Sequence, residues 1–209
     1  MRSPDTALVI GGNGGIGAAL VDCLLHRFPA CEVHASYRSN PGSVEHERLH
    51  WHALDVTDET AIERLAGTFP RIDWIVNAVG FLHGEQRGPE KTVRTVDADF
   101  LLHNMQLNTL PSLLLAKHFG GALRRSSAPV FATLSARVGS IEDNRLGGCY
   151  SYRSSKAALN MALKTLSIEW RHSHPHGCVV ALHPGTNDTP LSRPFQGNVA
   201  AKYLFAPAF

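Results

Sequence analysis

The chain of 209 residues has few cysteines, no long apolar run and a formal net charge of only +2. Its four cysteines are scattered and form no C-x-x-C pair, which argues against a disulfide framework or a zinc site and is typical of reduced thiols in the cytoplasm. No segment resembles a signal peptide or a membrane span. The small net charge gives no support for nucleic-acid binding. We therefore expect a cytoplasmic protein without nucleic-acid or membrane partners.

The composition is that of an ordinary globular domain, with 44% hydrophobic and 18% charged residues. A length of 209 residues suffices for one α/β domain and leaves little room for a second. We therefore predict a single domain over residues 1–209, in which residues 186–209 form a loop-like segment. His172, His174 and His176 alternate near the C-terminal third of the chain, but no carboxylate or cysteine pattern accompanies them. We interpret them as solvated loop residues and predict no metal site.

Strand-like and helix-like segments alternate along the chain, which predicts a parallel sheet with helices on both faces. The predicted strands are residues 6–10, 32–37, 49–54, 74–78, 129–134 and 178–183. The predicted helices are residues 15–28, 59–68, 97–119 and 150–170. A doubly wound, Rossmann-type sheet is the expected assembly. Such a sheet binds its ligand beyond the strand ends, where the polar loops 38–44 and 81–89 lie.

The first predicted strand leads into a glycine-rich turn, Gly11-Gly12-Asn13-Gly14-Gly15-Ile16-Gly17, and then into a predicted helix. This order is typical of dinucleotide binding, because glycine lets the backbone approach phosphate closely and the helix N-terminus offers unpaired N–H groups. A glycine-rich hairpin or loop is the simpler alternative.

Tyr152 and Lys156 lie four residues apart at the start of a predicted helix, so the phenol and the ammonium group share one helix face. A free tyrosine has a pKa of about 10, and a nearby positive charge lowers that pKa toward neutrality. The pair is therefore a candidate proton-transfer device. Tyrosine and lysine at this spacing also occur on many exposed helices.

The end of the second predicted strand reads Ser36-Tyr37-Arg38-Ser39-Asn40 and contains no acidic residue. A carboxylate there would bind the ribose of NAD and repel the 2′-phosphate of NADP. Arg38 can bind that phosphate through two hydrogen bonds, and Ser36, Ser39 or Asn40 can add others. The alternative is that Arg38 is an ordinary solvated loop residue. We predict that NADP(H) is preferred over NAD(H).

Six elements, in order along the chain, resemble the short-chain dehydrogenase/reductase (SDR) family. The spacing Gly11-x-x-x-Gly15-x-Gly17 is similar to the T-G-x-x-x-G-I-G element of that family, with Ile10 in place of the threonine. The other matches are Leu54-Asp55-Val56-Thr57 with the adenine-contacting segment, Ile75-Val76-Asn77-Ala78-Val79-Gly80 with N-N-A-G, Asn108 with the catalytic asparagine, Tyr152 and Lys156 with Y-x-x-x-K, and Pro184, Gly185 and Thr189 with P-G-x-x-x-T.

This resemblance implies an oxidoreductase that interconverts a small carbonyl compound and an alcohol, with Tyr152 as general acid/base. Lys156 is expected to lower the pKa of Tyr152 and to hold the nicotinamide ribose, and Asn108 to anchor a water chain. Asn108 is otherwise an ordinary helix residue beside a kink at Pro111. The cofactor-binding residues implied are Gly11, Asn13, Gly14, Gly15, Ile16, Gly17, Arg38, Asp55, Val56, Asn77, Ala78, Val79, Gly80, Tyr152, Lys156, Pro184, Gly185 and Thr189. A homodimer or homotetramer, formed through the two long helices, is also expected.

The substrate-orienting serine of the family has no direct counterpart. When Leu134-Ser-Ala-Arg-Val-Gly139 is aligned on its glycine, Ala136 takes the place of that serine. Ser135 replaces it only if the turn is altered, because successive residues at a strand end point in opposite directions. Ser140 lies twelve residues before Tyr152, close to the usual interval, and a further alternative is that no serine serves. We assign Ser135 as the catalytic serine.

Residues 135–141, 143–148 and 150–152 also resemble the C-factor (C-signal) subgroup of the family, whose members are linked with intercellular signalling. A nucleotide-bound signalling or sensor protein with little turnover is therefore an alternative function, and an isomerase or dehydratase relative is a third. Compared with the family, the chain lacks the last helix and edge strand, and residues 186–209 resemble the start of a substrate-covering segment. Either these elements are naturally absent or the sequence is truncated. An exposed sixth strand predicts lower stability or compensation by dimerisation.

Overall fold

A computed structural model describes residues 3–85 and 87–207 of the chain. Its main sheet has six parallel strands: β1 (Thr6–Ile10), β2 (Glu32–Tyr37), β3 (Leu49–Ala53), β4 (Trp74–Asn77), β5 (Val130–Leu134) and β6 (Cys178–Leu182). The spatial order is β3-β2-β1-β4-β5-β6, so the direction in which successive strands are added reverses between β1 and β4. The predicted doubly wound parallel sheet is confirmed, and its switch point is the place where such sheets bind ligands.

Five α-helices connect these strands in the described part of the chain: α1 (Gly15–Arg27), α2 (Glu59–Gly67), α3 (Ala98–Asn108), α4 (Leu110–Arg124) and α5 (Tyr150–Ser173). Most of them pack on one face of the sheet, where Phe119, Phe131 and Leu159 form the centre of the larger core. On the other face, Val21 and Leu24 of α1 pack against β1 and β2. Helices therefore cover both faces, but unequally.

The predicted long helix over residues 97–119 is two helices, α3 and α4, which separate at Thr109. Pro111 has no N–H to donate to the carbonyl of Leu107, so the helical hydrogen bonding is interrupted there. The Thr109 hydroxyl instead donates to the Ser155 carbonyl at 2.8 Å. The break therefore ties the end of α3 to the first turns of α5.

Residues 186–207 are more ordered than the predicted loop. Strand β7 (Thr186–Asn187) pairs in parallel with β8 (Leu204–Phe205), and two 3₁₀ helices, Arg193–Asn198 and Ala201–Tyr203, lie between them. Two-residue strands carry no alternation of apolar and polar residues, which explains why the sequence pattern did not indicate them. The last two residues of the predicted segment, 208 and 209, lie outside the described residues.

The predicted solvated histidine loop is also wrong for two residues, because His172 lies within α5, where it is exposed, and His174 is not solvated. His174 is buried, stacks on Trp170 with a ring-centroid distance of 4.1 Å, and lies 2.8 Å through Nε2 from the Gly120 carbonyl. It therefore connects the end of α5 to α4. Over the residues that the structure describes, no helix is long and apolar enough to cross a membrane, and no group of three or more metal-binding side chains is found.

Candidate functional site

The glycine turn after β1 is held in a shape that a larger side chain would prevent. Gly11 has a φ of +75°, which disfavours other residues. A Cβ at Gly17 would lie 2.0 Å from the Gly11 carbonyl oxygen. Gly14 precedes α1 and provides no side-chain cap for the first N–H groups of the helix. The turn and the helix N-terminus therefore have the form of a phosphate cradle.

Ser36 organises this turn from the neighbouring strand. Its hydroxyl accepts a hydrogen bond from the Gly11 N–H at 2.9 Å, and its carbonyl accepts one from Gly12 at 2.8 Å. Ser36 is only 1% exposed, so its hydroxyl is not free to bind a 2′-phosphate as suggested above. Asn13 donates to the Asn40 carbonyl at 2.9 Å and joins the glycine turn to the loop after β2.

Arg38 and Asp55 both lie at the carboxyl end of the sheet, just after β2 and β3. Two hydrogen bonds from Thr57 lower the pKa of Asp55, and the positive charge of Arg38 contributes in the same direction. Arg38 is exposed and has no ion-pair partner among the residues that the structure describes. Its guanidinium is therefore available to an anionic ligand above the loop after β2.

Asn77 shapes the loop after β4 without facing solvent. Its side-chain amide donates to Ser112 at 3.0 Å and its oxygen accepts from the Val79 N–H at 3.1 Å. The resulting turn places Gly80 close to the catalytic candidates: a Cβ there would lie 3.8 Å from Asn108 Oδ1 and 3.9 Å from Lys156 Nζ. The structure thus brings these predicted residues together.

Asn108, at the end of α3, holds the same loop. Its side chain accepts from the Phe81 N–H and donates to the Phe81 carbonyl, both at 2.8 Å. It also donates to the Ser155 hydroxyl of α5 at 3.0 Å. Because these contacts engage both ends of the amide, Asn108 fixes the loop after β4 to α3 and α5.

Tyr152 and Lys156 lie on the first turns of α5. Lys156 is 2% exposed, and its Nζ donates to the Leu134 carbonyl at 2.9 Å. The same nitrogen lies 5.8 Å from the centroid of the Tyr152 ring. The Tyr152 hydroxyl makes no hydrogen bond to any described residue, so it can bind an incoming group.

Burial dominates the protonation of this pair. It lowers the pKa of Lys156 from 10.5 to about 8 and raises the pKa of Tyr152 from 10.0 to about 12. The direction for Tyr152 is opposite to the one expected from a neighbouring positive charge. Removal of the phenolate from water is the main cause of the raised pKa of Tyr152, and the charge of Cys149 acts in the same direction.

The hydroxyls of the two candidate serines are hydrogen-bonded to other residues. Ser135 donates through its hydroxyl to Asn160 Oδ1 at 2.6 Å and through its N–H to the Leu182 carbonyl at 2.7 Å. Ser140 accepts a hydrogen bond from the Asp143 N–H at 3.3 Å. Within the described chain, neither hydroxyl is hydrogen-bonded to Tyr152.

The Pro184-Gly185 turn closes the site from the C-terminal side. Gly185 has a φ of +74°, and a Cβ there would lie 2.8 Å from the Phe205 ring. Asn187, where the family commonly has an aliphatic residue, donates to the Pro184 carbonyl at 2.9 Å and stabilises the turn. The Thr189 methyl group would lie 2.6 Å from a Cβ at Gly15, so this turn contacts the glycine cradle directly.

The sequence alone does not indicate two residues near the site, His83 and Glu90. The loop 81–89, which is predicted to lie at the ligand, contains His83; its Gln86 is outside the described residues. His83 Nε2 is buried and has no hydrogen-bond partner among the described residues, and the centroid of its ring lies 5.4 Å from that of Phe195. Glu90, just after this loop, is buried and hydrogen-bonded to Ser151 of α5. Neither residue is part of a sequence motif, so local sequence does not indicate its place at the site.

The assembled site fits a dinucleotide with a reactive end. The glycine cradle and the free N–H groups of α1 suit a pyrophosphate, and Arg38 and Asp55 lie at one end of this edge. Lys156, Asn108 and Tyr152 lie at the other end, beside Gly80 and the Pro184-Gly185 turn. The arrangement combines an anion-binding cradle with a buried acid–base pair.

Comparison with known proteins agrees with this geometry. A family model described as short chain dehydrogenase matches residues 5–199. The chain is 28% identical over 202 residues to 1-hydroxy-2-glutathionyl-2-methyl-3-butene dehydrogenase of Rhodococcus sp. (strain AD45), covering 92% of this chain and 82% of that protein. It is 37% identical over 100 residues to C-signal of Myxococcus xanthus, covering 47% of this chain and 58% of that protein.

A solved structure of NADPH-bound carbonyl reductase from chicken fatty liver superimposes with a TM-score of 0.84 and 26% identity, covering 98% of this chain and 82% of that one. The match over residues 5–199 includes the glycine cradle, the tyrosine–lysine pair and the Pro184-Gly185 turn. The chain therefore belongs to the short-chain dehydrogenase/reductase family of oxidoreductases and has a C-factor-like relative.

Proposed function

We propose that the protein interconverts a small carbonyl compound and an alcohol with NADP(H), using Tyr152 as the proton donor and acceptor. The observation that carries this proposal is the Tyr152 hydroxyl on α5, to which no described residue is hydrogen-bonded. It lies one turn from buried Lys156 and at the same end of the sheet as the glycine cradle. A phenol in this place is free to hydrogen-bond to a bound molecule, because no described residue accepts its proton.

The proton step follows from the charge that develops on the substrate. When bound, a reduced nicotinamide supplies the hydride that the carbonyl carbon receives. The carbonyl oxygen then becomes negative and must accept a proton. With its pKa raised to about 12, Tyr152 is protonated at neutral pH and can donate. Lys156, whose pKa is lowered to about 8, still carries its charge there and stabilises the phenolate that remains.

The other predicted residues support this step in the proposed mechanism. Gly11, Gly14, Gly15, Gly17 and Thr189 hold the pyrophosphate and nicotinamide regions, and Lys156 holds the nicotinamide ribose. Asn108 anchors the water chain that returns a proton to Tyr152. Because its side chain is fully engaged with Phe81 and Ser155, we assign the water contact to backbone groups at the α3–α4 break.

NADP(H) is the proposed cofactor. Arg38 is exposed, unpaired within the described chain and close enough to Asp55 to affect its pKa. Its guanidinium matches a 2′-phosphate in charge and shape. The chicken carbonyl reductase is described as NADPH bound, which supports the proposal by similarity.

The test is a cofactor-oxidation assay with purified protein, NADPH or NADH, and a panel of aldehydes and ketones. We expect turnover that is faster with NADPH. Tyr152→Phe should lower it on the order of 100- to 10,000-fold, since that is the usual contribution of a positioned acid. Tyr150→Phe, on the same helical turn but 40% exposed, is the matched control. Equal activity of Tyr152→Phe and the parent protein would refute the mechanism, and faster turnover with NADH would refute the cofactor choice.

A nucleotide-bound sensor with little turnover is the second candidate. It is supported by the occupied hydroxyl of Ser135, which donates to Asn160, and by the 37% identity to C-signal. Tight NADPH binding without turnover on the whole panel would favour it. If the parent protein does turn over a substrate, the turnover of Ser135→Ala and Ser140→Ala is compared with it. Unchanged turnover in Ser135→Ala would remove Ser135 from the mechanism.

The proposal includes a cytoplasmic homodimer or homotetramer. Several apolar side chains on α3, α4 and α5 are exposed in the single chain: Leu102 of α3, Leu113 of α4, and Met161 and Ile168 of α5. Exposed apolar side chains on helices are commonly covered by a partner subunit where they form a patch. Light scattering at several protein concentrations measures the oligomeric state.

A further inference from the structure

The start of α5 is unusual because the residues just before it provide no side-chain cap for the helix. Gly147, Gly148 and Cys149 have φ values of +65°, +64° and +51°, so three consecutive residues are in the left-handed region. Cys149 is a non-glycine residue there and offers no side-chain cap to the helix. A side chain in this conformation is disfavoured and needs support from its surroundings. The catalytic helix therefore begins on a segment that something else must hold.

Glu90 provides that support from the loop after β4. Its carbonyl accepts a hydrogen bond from the Cys149 N–H. One carboxylate oxygen accepts from the Ser151 N–H at 3.1 Å, and the other accepts from the Ser151 hydroxyl. A Cβ at Gly148 would lie 3.2 Å from the Glu90 carbonyl, which shows how closely the two segments approach.

The burial of this carboxylate distinguishes it from an ordinary surface cap. Glu90 is 5% exposed and Ser151 is fully buried, and Glu90 has no ion-pair partner among the described residues. A buried carboxylate is costly unless hydrogen bonds and favourable dipoles compensate it. Here the compensation comes from the first turn of α5, whose N–H groups and positive dipole end attract the carboxylate.

We infer that Glu90 is a positioning residue for Tyr152: it fixes the first turn of α5 from the loop after β4 and so sets where the phenol stands relative to the bound substrate. Ser151, which Glu90 holds through both its N–H and its hydroxyl, is the residue directly before Tyr152. The same loop is held by Asn108 through Phe81, so one loop connects both catalytic helices. This inference rests on the proposed reductase function.

The test compares Glu90 with a matched buried carboxylate far from the site. Asp73 is 4% exposed and accepts hydrogen bonds from the N–H groups of Asp5 and Thr6, but it lies at the opposite, amino end of β4. Glu90→Gln, Glu90→Ala and Asp73→Asn are measured for thermal stability, NADPH dissociation constant, kcat and KM. All three are expected to lose some thermal stability.

The kinetic parameters separate positioning from folding. Glu90→Ala should lower kcat on the order of 10- to 100-fold, because a displacement of about 1 Å has effects of that size. Its NADPH dissociation constant should stay within about twofold of the parent value. Glu90→Gln should recover part of kcat, because an amide oxygen still accepts from the Ser151 N–H and the amide NH₂ can donate to the hydroxyl. Asp73→Asn should keep the parent kcat.

Amide hydrogen exchange of the ligand-free protein gives a readout that does not depend on turnover. In Glu90→Ala the first turn of α5 should exchange faster, while in Asp73→Asn it should exchange as in the parent. If the parent protein reduces no substrate but this exchange pattern appears, the reductase proposal fails and the positioning of Tyr152 by Glu90 stands. Unchanged exchange in Glu90→Ala, or a kcat equal to that of Asp73→Asn, would overturn the inference.

Discussion

At the scale of single residues, Lys156 shows how function and stability conflict in this site. The proposed chemistry needs an ammonium group near the phenol, yet burial makes that charge unfavourable and lowers its pKa to about 8. The spacing of Tyr152 and Lys156 was readable from the sequence. The direction of the Tyr152 pKa shift could not be predicted from the sequence, because it depends on how far folding removes the phenol from water.

Lys156→Met should keep or raise the melting temperature at pH 7 and change its dependence on pH. Between pH 8 and 10 the unfolded chain holds a proton on Lys156 more firmly than the folded chain, so the stability of the parent protein rises with pH. This rise should be weaker in the variant, and turnover should be lost. The control is Lys164→Met, an exposed position on the same helix, which should leave the pH dependence unchanged. A lower melting temperature for Lys156→Met at pH 7 would contradict the expectation.

At the scale of elements, the strands and most helices follow directly from hydrophobic periodicity and glycine turns. The exceptions have physical causes that periodicity does not express. Pro111 divides one predicted helix, because proline has no N–H and leaves the carbonyl four residues earlier without its helical hydrogen bond. The β7–β8 pair consists of two-residue strands that form only because distant segments meet. The hydroxyl of Ser135 likewise finds Asn160 only through the packing of α5 on β5.

Phe205→Ala should weaken cofactor binding although Phe205 lies outside the predicted site. The Phe205 ring packs where a Cβ of Gly185 would lie, and β8 holds β7 next to the Pro184-Gly185 turn. Removing the ring should loosen this turn and raise the NADPH dissociation constant about threefold or more, since about 1 kcal/mol of lost packing corresponds to roughly a fivefold change. Tyr203→Ala, in the same segment and 58% exposed, is the control. Equal dissociation constants for the two variants would argue against this role.

At the scale of the whole molecule, the two faces of the sheet differ. Helices α2, α4 and α5 cover the face that contains Phe131, whereas α1 covers only part of the other face. A cavity of about 480 Å³ lies between α1 and β4, lined by Leu20, Cys23, Leu24, Arg27, Phe28, Trp74 and Val76. Strand β6 forms the edge of the sheet, and its Cys178 and Leu182 are exposed. The sequence indicated the exposed sixth strand only through comparison with the family.

Three of the four thiols should differ in reactivity because of this asymmetry. Cys23 and Cys178 are exposed and should react quickly with a disulfide reagent in the native protein. Cys31 is buried and its pKa is raised to about 11 by burial, so it should react only after unfolding. Time-resolved thiol titration of the parent protein and of Cys178→Ser, which should lose one fast thiol, checks the assignment. Protection of Cys178 in the parent but not at high dilution would instead indicate that a partner subunit covers β6.

The strand order also has a consequence for how the protein is made. Strands β2 and β3 add outward on one side of β1, and β4, β5 and β6 add outward on the other side, each next to a strand that has already been synthesised. A chain emerging from the ribosome can therefore extend its sheet one strand at a time. The turn at Gly185 is packed only when Phe205 arrives, after all six strands of the main sheet have been synthesised. Nascent protein should thus acquire its sheet well before it acquires full affinity for a nucleotide.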